Sequence, residues 1–197
     1  MQDTSQQTSS MRAHIKKLSP PDAMRSDGLA TTYTDSMGRL YLEPQIPHDF
    51  NASARLHDAG FSEAVVMAKG DSPHYLVYGS QTDLITFASV LNVALGSGDT
   101  TGVESILALT IDLLIAIKHE CGFIPILESA DGIALDRSSG YIELLPPFQV
   151  EDSLDVDNII DNLQEALLQT ASSEIESNLI TECFDRVVTA KGIRYGV

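Results

Sequence analysis

The stretch that determines the fold runs from residue 101 to residue 145 and reads TGVESILALTIDLLIAIKHECGFIPILESADGIALDRSSGYIELL. Its first half repeats apolar residues at helical spacing, at Val103, Ile106, Leu107, Thr110, Leu113, Leu114 and Ile117. This spacing predicts a core helix over residues 103–119, which Gly122 would end in a left-handed cap. The second half changes to short apolar runs, which predict strands, at residues 123–127, 132–136 and 141–145.

Strand patterns also precede this helix. Four β-compatible runs lie at residues 29–34, 39–43, 64–69 and 74–78. Asp35 and Gly38 lie between the first two runs, and Gly70 and Pro73 lie between the last two. Because these residue types favour tight reversals, the sequence predicts two hairpins.

Four further helices are expected. A short one, capped by Asn51 and ended by Gly60, carries Ala54, Leu56 and His57. One, behind a capping box formed by Ser80 and Asp83, carries Leu84, Phe87, Ala88, Leu91 and Leu95. Beyond Pro146 and Pro147, which end the strand pattern, two helices close the chain. Their inward residues are Val156, Ile159, Ile160, Leu163 and Leu167, and then Ile175, Leu179, Ile180, Cys183, Phe184 and Val187. The predicted fold class is α+β, with a small strand-rich front part of hairpins and a helix-rich part that contains a β-hairpin.

One domain is the expected organisation. Residues 1–10 are Gln, Ser and Thr around a single Asp and Met1, a composition that cannot repay the entropy of ordering. We predict a flexible tail over residues 1–20 and a single α+β domain over residues 21–197. A candidate hinge lies near residues 79–82, between the strand-rich and the helix-rich parts.

The charge of the chain limits its partners. It carries 12 basic and 28 acidic side chains, for a formal net charge of −16. Phosphates would be repelled, which argues against nucleic acid and membrane surfaces as partners. A basic protein is the natural partner of such a chain. The candidate partner-binding acidic surface consists of Glu151, Asp152, Asp155, Asp157 and Asp161.

The same carboxylates have a purely structural explanation. They precede and begin a predicted helix, and the partial positive charge of a helix N-terminus stabilises anions. A calcium loop would need a central glycine, which residues 151–161 lack. No metal site is predicted there, and both explanations of the carboxylates stay open.

The sequence favours a soluble, cytoplasmic protein. Residues 1–17 have no apolar core of the kind that an export signal needs, and Thr110, Asp112 and Lys118 interrupt the most apolar helix. The two cysteines, Cys121 and Cys183, lie on or beside apolar helical patterns. They are interpreted as buried thiols of a reducing compartment, and a single disulfide is the alternative.

The chain contains none of the motifs GxxxxGK(S/T), GxGxxG, HExxH, GxSxG or paired CxxC. His57 and Asp58 are adjacent on a helix and point in different directions, as do His119 and Cys121 at a helix end. We therefore predict no catalytic, cofactor-binding or metal-binding residues.

The order of elements resembles that of the protein-kinase-like fold. HYLVYGSQTDL, at residues 74–84, matches the strand that runs into the family's hinge. IKHECGFIPIL, at residues 117–127, and GIALDRSSGYIELL, at residues 132–145, match the end of its long helix, its catalytic loop and its β-hairpin. The resemblance spans residues 29–190 and implies a kinase-like arrangement with a reduced front lobe.

The same resemblance implies that the catalytic machinery is missing. The family's His-Arg-Asp loop corresponds to residues 124–128, Ile-Pro-Ile-Leu-Glu, and its metal-binding Asp-Phe-Gly corresponds to residues 145–148, Leu-Pro-Pro-Phe. Residues 40–43 contain no lysine to pair with phosphate, and the glycine-rich loop has no counterpart. Phosphoryl transfer depends on these groups, so the resemblance implies a pseudokinase-like scaffold.

Three functions are compatible with these patterns. The favoured one is a non-catalytic protein-interaction module. The second is an acidic chaperone or immunity-type protein that masks a basic partner, for which a homo-oligomer formed through an exposed apolar patch would be supporting evidence. The third is an enzyme with a dispersed carboxylate site at Glu128, Asp131 or Asp136.

Overall fold

The front part of the chain is a five-stranded antiparallel sheet. In this computed structural model, which describes residues 15–19, 23–25, 27–69, 72–79, 83–152 and 155–193, the strands follow the order β1-β2-β3-β5-β4. They are β1 (Lys16–Lys17), β2 (Ala30–Thr34), β3 (Leu40–Pro44), β4 (Val65–Lys69) and β5 (Ser72–Tyr78). Helix α1 (Phe50–Asp58) lies between β3 and β4 in the chain and packs next to β4.

Both predicted front hairpins are present. Strand β2 pairs with β3, and β4 pairs with β5. The turn between β2 and β3 is held by the Asp35 carboxylate, which accepts hydrogen bonds from the backbone N–H of Met37 at 2.9 Å and of Arg39 at 3.0 Å. Gly38 adopts a φ of +78°, which a side chain would disfavour, so the residue types of this turn explain its geometry.

The back part begins with β6 (Leu84–Thr86), followed by α2 (Phe87–Ser97) and α3 (Thr101–Cys121). Four strands then follow, β7 (Ile124–Leu127), β8 (Ile133–Asp136), β9 (Ile142–Leu144) and β10 (Phe148–Glu151), with a 3₁₀ turn (Ala130–Gly132) between β7 and β8. The described residues end with α4 (Val156–Thr170) and α5 (Glu174–Lys191). β6, β8 and β9 form one small sheet, and β10 pairs with β7 in another.

Helix α3 is the centre of the core. It packs against α1, α2, α4, α5, β7 and β9, and seven of its residues are buried, namely Val103, Ile106, Leu107, Thr110, Ile111, Leu114 and Ile117. The sequence predicted Leu113 in place of Ile111. Because α3 is surrounded on several sides, its buried surface is wider than one stripe, and Leu113 lies half-buried at the wall of a cavity.

Three local predictions were wrong. Residues 84–86 form β6, because Leu84 pairs with Asp136 in the sheet, and the helix begins only at Phe87 behind a Thr86 cap. Pro146 and Pro147 do not end the strands, since β10 follows them. Ile175 is 73% exposed, because it lies in the first turn of α5, ahead of that helix's buried face.

The fold class is α+β, as predicted, and the arrangement is compatible with the kinase-like order of elements. Residues 1–14, 20–22 and 80–82 lie outside the described residues, and with them most of the predicted tail and most of the candidate hinge. Within residues 15–19, Lys16 and Lys17 pair with β2. No helix in the described ranges is long and apolar enough to cross a membrane.

We expect Leu114→Asp to lower the free energy of unfolding by more than about 4 kcal/mol, because it would place an unpaired carboxylate in the core. Leu114 is 2% exposed. Asp112→Asn on the same helix should cost less than about 1 kcal/mol, because Asp112 bonds Lys191 only at the surface. Urea unfolding of both variants measures the difference, and equal tolerance would contradict the central role of α3.

Candidate functional site

Arg25 is buried between the front and back parts of the molecule, with 2% of its surface exposed. Its Nη1 donates to the backbone carbonyls of Leu145 at 2.6 Å and Pro146 at 3.1 Å. Its Nη2 donates to Ser129 Oγ at 3.0 Å and to the Asp27 carboxylate. A guanidinium has fixed, planar donors, so it can tie these separate segments together in one geometry.

Asp27 completes this network. Its carboxylate also accepts a hydrogen bond from Ser129 Oγ at 2.5 Å and from the backbone N–H of Leu29 at 3.0 Å. Burial by itself would raise the pKa of Asp27. The hydrogen bonds and the charge of Arg25, together with the hydrogen bonds from Ser129 and Leu29, instead hold that pKa below its usual value. The carboxylate therefore stays ionised and neutralises Arg25 at neutral pH.

The Arg25 network contacts the chain beside the two segments that carry the kinase resemblance. Ser129 directly follows residues 124–128, and Leu145 begins residues 145–148, the two segments that the kinase resemblance equates with the catalytic loop and the metal-binding motif. A Cβ at Gly132 would lie 3.1 Å from Arg25 Nη1 and 3.3 Å from the carbonyl oxygen of Leu145. The Arg25 guanidinium is therefore closely packed against the turn that contains Gly132.

The two segments that carry the kinase resemblance lie in apolar surroundings. Residues 124–127 form β7, whose Leu127 pairs with Phe148 of β10. Leu145 and Phe148 are almost completely buried, at 0% and 1% exposure. The chain therefore uses these segments for packing and strand pairing. Sequence reasoning missed Arg25, because a single arginine among Ser, Pro and Asp gives no periodic signal.

A cavity of about 1080 Å³ lies on another side of the molecule, bordered by α3, the ends of β4 and β5, and the β8–β9 hairpin. Its wall contains Glu143, which is 7% exposed. Glu143 accepts hydrogen bonds from Ser62 Oγ and, at 3.3 Å, from the backbone N–H of Glu63. Tyr78, completely buried, also lines the cavity.

Burial raises the pKa of Glu143 to about 7, and the negative charges of Glu63 and Asp136 act in the same direction, against the hydrogen bonds from Ser62 and Glu63. Burial likewise raises the pKa of Tyr78; the charge of Glu143 adds to this effect, and the charge of Arg25 opposes it. Glu143 is thus a carboxyl group that changes its charge near neutral pH.

The predicted acidic surface lies along the end of β10 and the first turns of α4. All five side chains are exposed: Glu151, Asp152, Asp155, Asp157 and Asp161. Asp155 has a structural role, since it caps α4 by accepting a hydrogen bond from the backbone N–H of Asn158 at 3.0 Å. That these carboxylates bind a partner stays a prediction.

The three dispersed carboxylates do not share one environment. Glu128 is exposed, whereas Asp131 and Asp136 are buried. Asp136 accepts hydrogen bonds from the backbone N–H of Ser138 at 2.8 Å and from its hydroxyl at 2.7 Å, so it stabilises the turn of the hairpin.

The remaining chemical features are the two cysteines and the side chains that could bind a metal ion. Cys121 and Cys183 are free thiols rather than a disulfide pair. Within the described ranges, no group of three or more His, Cys, Asp or Glu side chains could hold a metal ion.

Comparison with known proteins gives little further guidance. No protein-family model matches the chain, and no curated protein matches its sequence. One similar solved structure, described as WaaP in complex with acyl carrier protein, is 13% identical, with 94% of this chain and 87% of that chain covered and a TM-score of 0.48. A likeness at this level assigns neither a family nor a function.

Arg25→Met should lower the free energy of unfolding by about 3 kcal/mol, because it leaves Asp27 and two buried carbonyls without their partner. The matched control is Arg137→Met, which removes the exposed Arg137–Asp83 pair and should cost less than about 1 kcal/mol. Urea unfolding of both variants tests this, and similar losses would show that the Arg25 network is not a structural tie.

The Glu143 carboxyl makes stability pH-dependent. Its pKa is near 4.5 in the unfolded chain and about 7 in the folded protein. Between these values only the unfolded chain releases the proton, so the free energy of unfolding falls as pH rises through this window and stays lower above it.

Glu143→Gln removes this titration. The Tm of the variant minus the Tm of the wild type should therefore increase by about 5 °C between about pH 5 and about pH 8. Glu128→Gln, at an exposed carboxyl, should show no such change. Thermal unfolding at both pH values measures this, and a difference that does not vary with pH would contradict the buried-carboxyl interpretation.

Proposed function

We propose that this chain is a non-catalytic protein-interaction module on a kinase-like framework, without phosphotransfer activity. The observation that carries this proposal is the Arg25 network. The guanidinium is hydrogen-bonded to Leu145, Pro146 and Ser129, beside the segments that would have to bind metal and position the phosphate. A metal-bound nucleotide there would have to displace a buried, neutralised ion pair.

The character of the surface supports a protein partner of basic charge. The net charge of −16 would attract a basic partner and repel phosphate-rich ones. The acidic surface presents four carboxylates besides the α4 cap Asp155, all exposed. The alternative of a chaperone or immunity-type protein that masks a basic partner would use the same surface.

We expect no phosphate transfer from ATP and no magnesium-dependent ATP binding, because the groups that stabilise the transferring phosphate are replaced. A nucleotide titration with and without magnesium, together with a phosphotransfer assay run beside an active kinase, measures this. Tight magnesium-dependent binding with turnover would overturn the non-catalytic assignment.

The acidic surface can be tested by charge reversal. We expect the triple variant Glu151→Lys, Asp157→Lys, Asp161→Lys to lose at least tenfold in affinity for a basic partner, because it replaces attraction by repulsion. Asp155 is kept, so α4 retains its cap. The matched control reverses three exposed carboxylates elsewhere, Asp58, Glu128 and Asp185.

The measurement compares the wild type and both triple variants by quantitative cross-linking and pull-down from cells that contain the natural partners. Partners lost in the surface variant and retained in the control support the proposal. Equal retention by both variants would show that the acidic surface is not the binding site.

A further inference from the structure

The proposed interaction function makes no use of the cavity around Glu143. At about 1080 Å³, it has the size typical of small-molecule sites, which are mostly apolar and contain a few well-placed polar groups. Its lining includes no residue of the Arg25 network and none of the acidic surface, although the charge of Arg25 acts on Tyr78 in the cavity wall.

The mouth of the cavity is unusually apolar for a protein surface. Val65, Leu109 and Tyr141, which are 49%, 41% and 76% exposed, all line it. They are three of the six large hydrophobic residues that are exposed in the described part of the chain. Clustering of exposed apolar side chains around a concave site is typical of a surface that binds an apolar body.

The charges of the cavity are unbalanced. Its basic side chains already have partners, since Arg39 pairs with Asp35 at 2.8 Å and His57 Nδ1 lies 3.2 Å from the carbonyl oxygen of Ser62. Asp112 is paired with Lys191 at 2.6 Å. Across the described ranges, neither Glu143 nor Glu63 takes part in an ion pair, so the cavity has negative charge without a counterion.

A second polar group lies at the inner wall. Tyr78 is completely buried, and its hydroxyl has no hydrogen-bond partner among the residues that the structure describes. A buried hydroxyl without a hydrogen-bond partner costs free energy. A ligand that supplies a donor or acceptor group, directly or through a bound water, would recover this cost. The cavity wall thus contains two buried polar groups, the Glu143 carboxyl and the Tyr78 phenol, besides the exposed apolar residues.

We propose that this cavity binds a small apolar molecule that carries one amino group, with the ammonium at Glu143 and the apolar body against Val65, Leu109 and Tyr141. The negative charge without a counterion selects a cation over an anion. The apolar mouth selects a hydrophobic amine over a small hydrophilic one. This site is independent of the proposed interaction function.

Binding of such a cation is coupled to the protonation of Glu143. The groups that act on Glu143 are Ser62, Glu63 and Asp136, and Arg39, His57 and Asp112 lie elsewhere on the cavity wall. An ammonium favours the ionised carboxylate, so binding should strengthen as pH rises through about 7.

The probes are three molecules of nearly equal shape: naphthylethylamine, naphthylethanol and naphthylacetate. By isothermal titration near pH 8, we expect the amine to bind at least tenfold more tightly than the alcohol, and the acid to bind most weakly. We expect the affinity for the amine to fall at least tenfold near pH 5.5, where the alcohol should change little.

Variants separate the two ends of the site. Glu143→Gln should abolish the preference for the amine and its pH dependence while retaining the alcohol. Leu109→Asp should weaken the alcohol at least tenfold, whereas Val93→Asp, at an exposed apolar residue of α2 that does not line the cavity, should leave all three affinities unchanged.

Equal binding of amine, alcohol and acid to the wild type, or no binding of the amine at all, would overturn this proposal. So would an unchanged amine preference in Glu143→Gln. Because the wild-type pH dependence is measured without any variant, a Glu143→Gln protein that failed to fold would still leave the proposal testable. None of these outcomes depends on whether a protein partner binds the acidic surface.

Discussion

Burial of helix α3 is the constraint on which the rest of the structure depends. The helix contacts three other helices of the back part, α1 and two strands, and its buried apolar residues belong to the larger of two apolar clusters, whereas the front sheet covers a smaller one. Burying this much apolar surface is the main favourable term in folding. The surrounding elements are therefore placed by the need to cover α3, and the cavity lies where that cover is incomplete.

A few charged side chains are buried around this apolar centre, and they differ in whether an opposite charge compensates them. Arg25 and Asp27 neutralise each other and join the segment before β2 to the turn after β7 and the end of β9. Glu143 has hydrogen-bond donors but no counterion in the described residues, and its pKa rises to about 7 as a result of burial. A paired charge serves as a structural tie, whereas a carboxyl without a counterion is available to a ligand.

These two sites have opposite consequences for function. The Arg25 network occupies the region where the kinase resemblance would place catalysis, and it supports the proposal of a non-catalytic framework. The Glu143 cavity is lined by residues outside the Arg25 network, and the acidic surface lies at the end of β10 and on α4. The proposed non-catalytic framework and the proposed binding sites are compatible in one fold, because function depends on sites rather than on the fold itself.

The sequence by itself determined the fold class, both front hairpins, the core helix with its Gly122 cap and the hairpin after it, because these follow from local spacing and turn residues. Only the tertiary structure decided that residues 84–86 form a strand and that β10 follows Pro147, since each strand depends on a partner far away in the chain. The same reason applies to the sites. Arg25 and Ser129, or Ser62 and Glu143, meet through space over long sequence separations, and periodicity records only contacts that recur along one element.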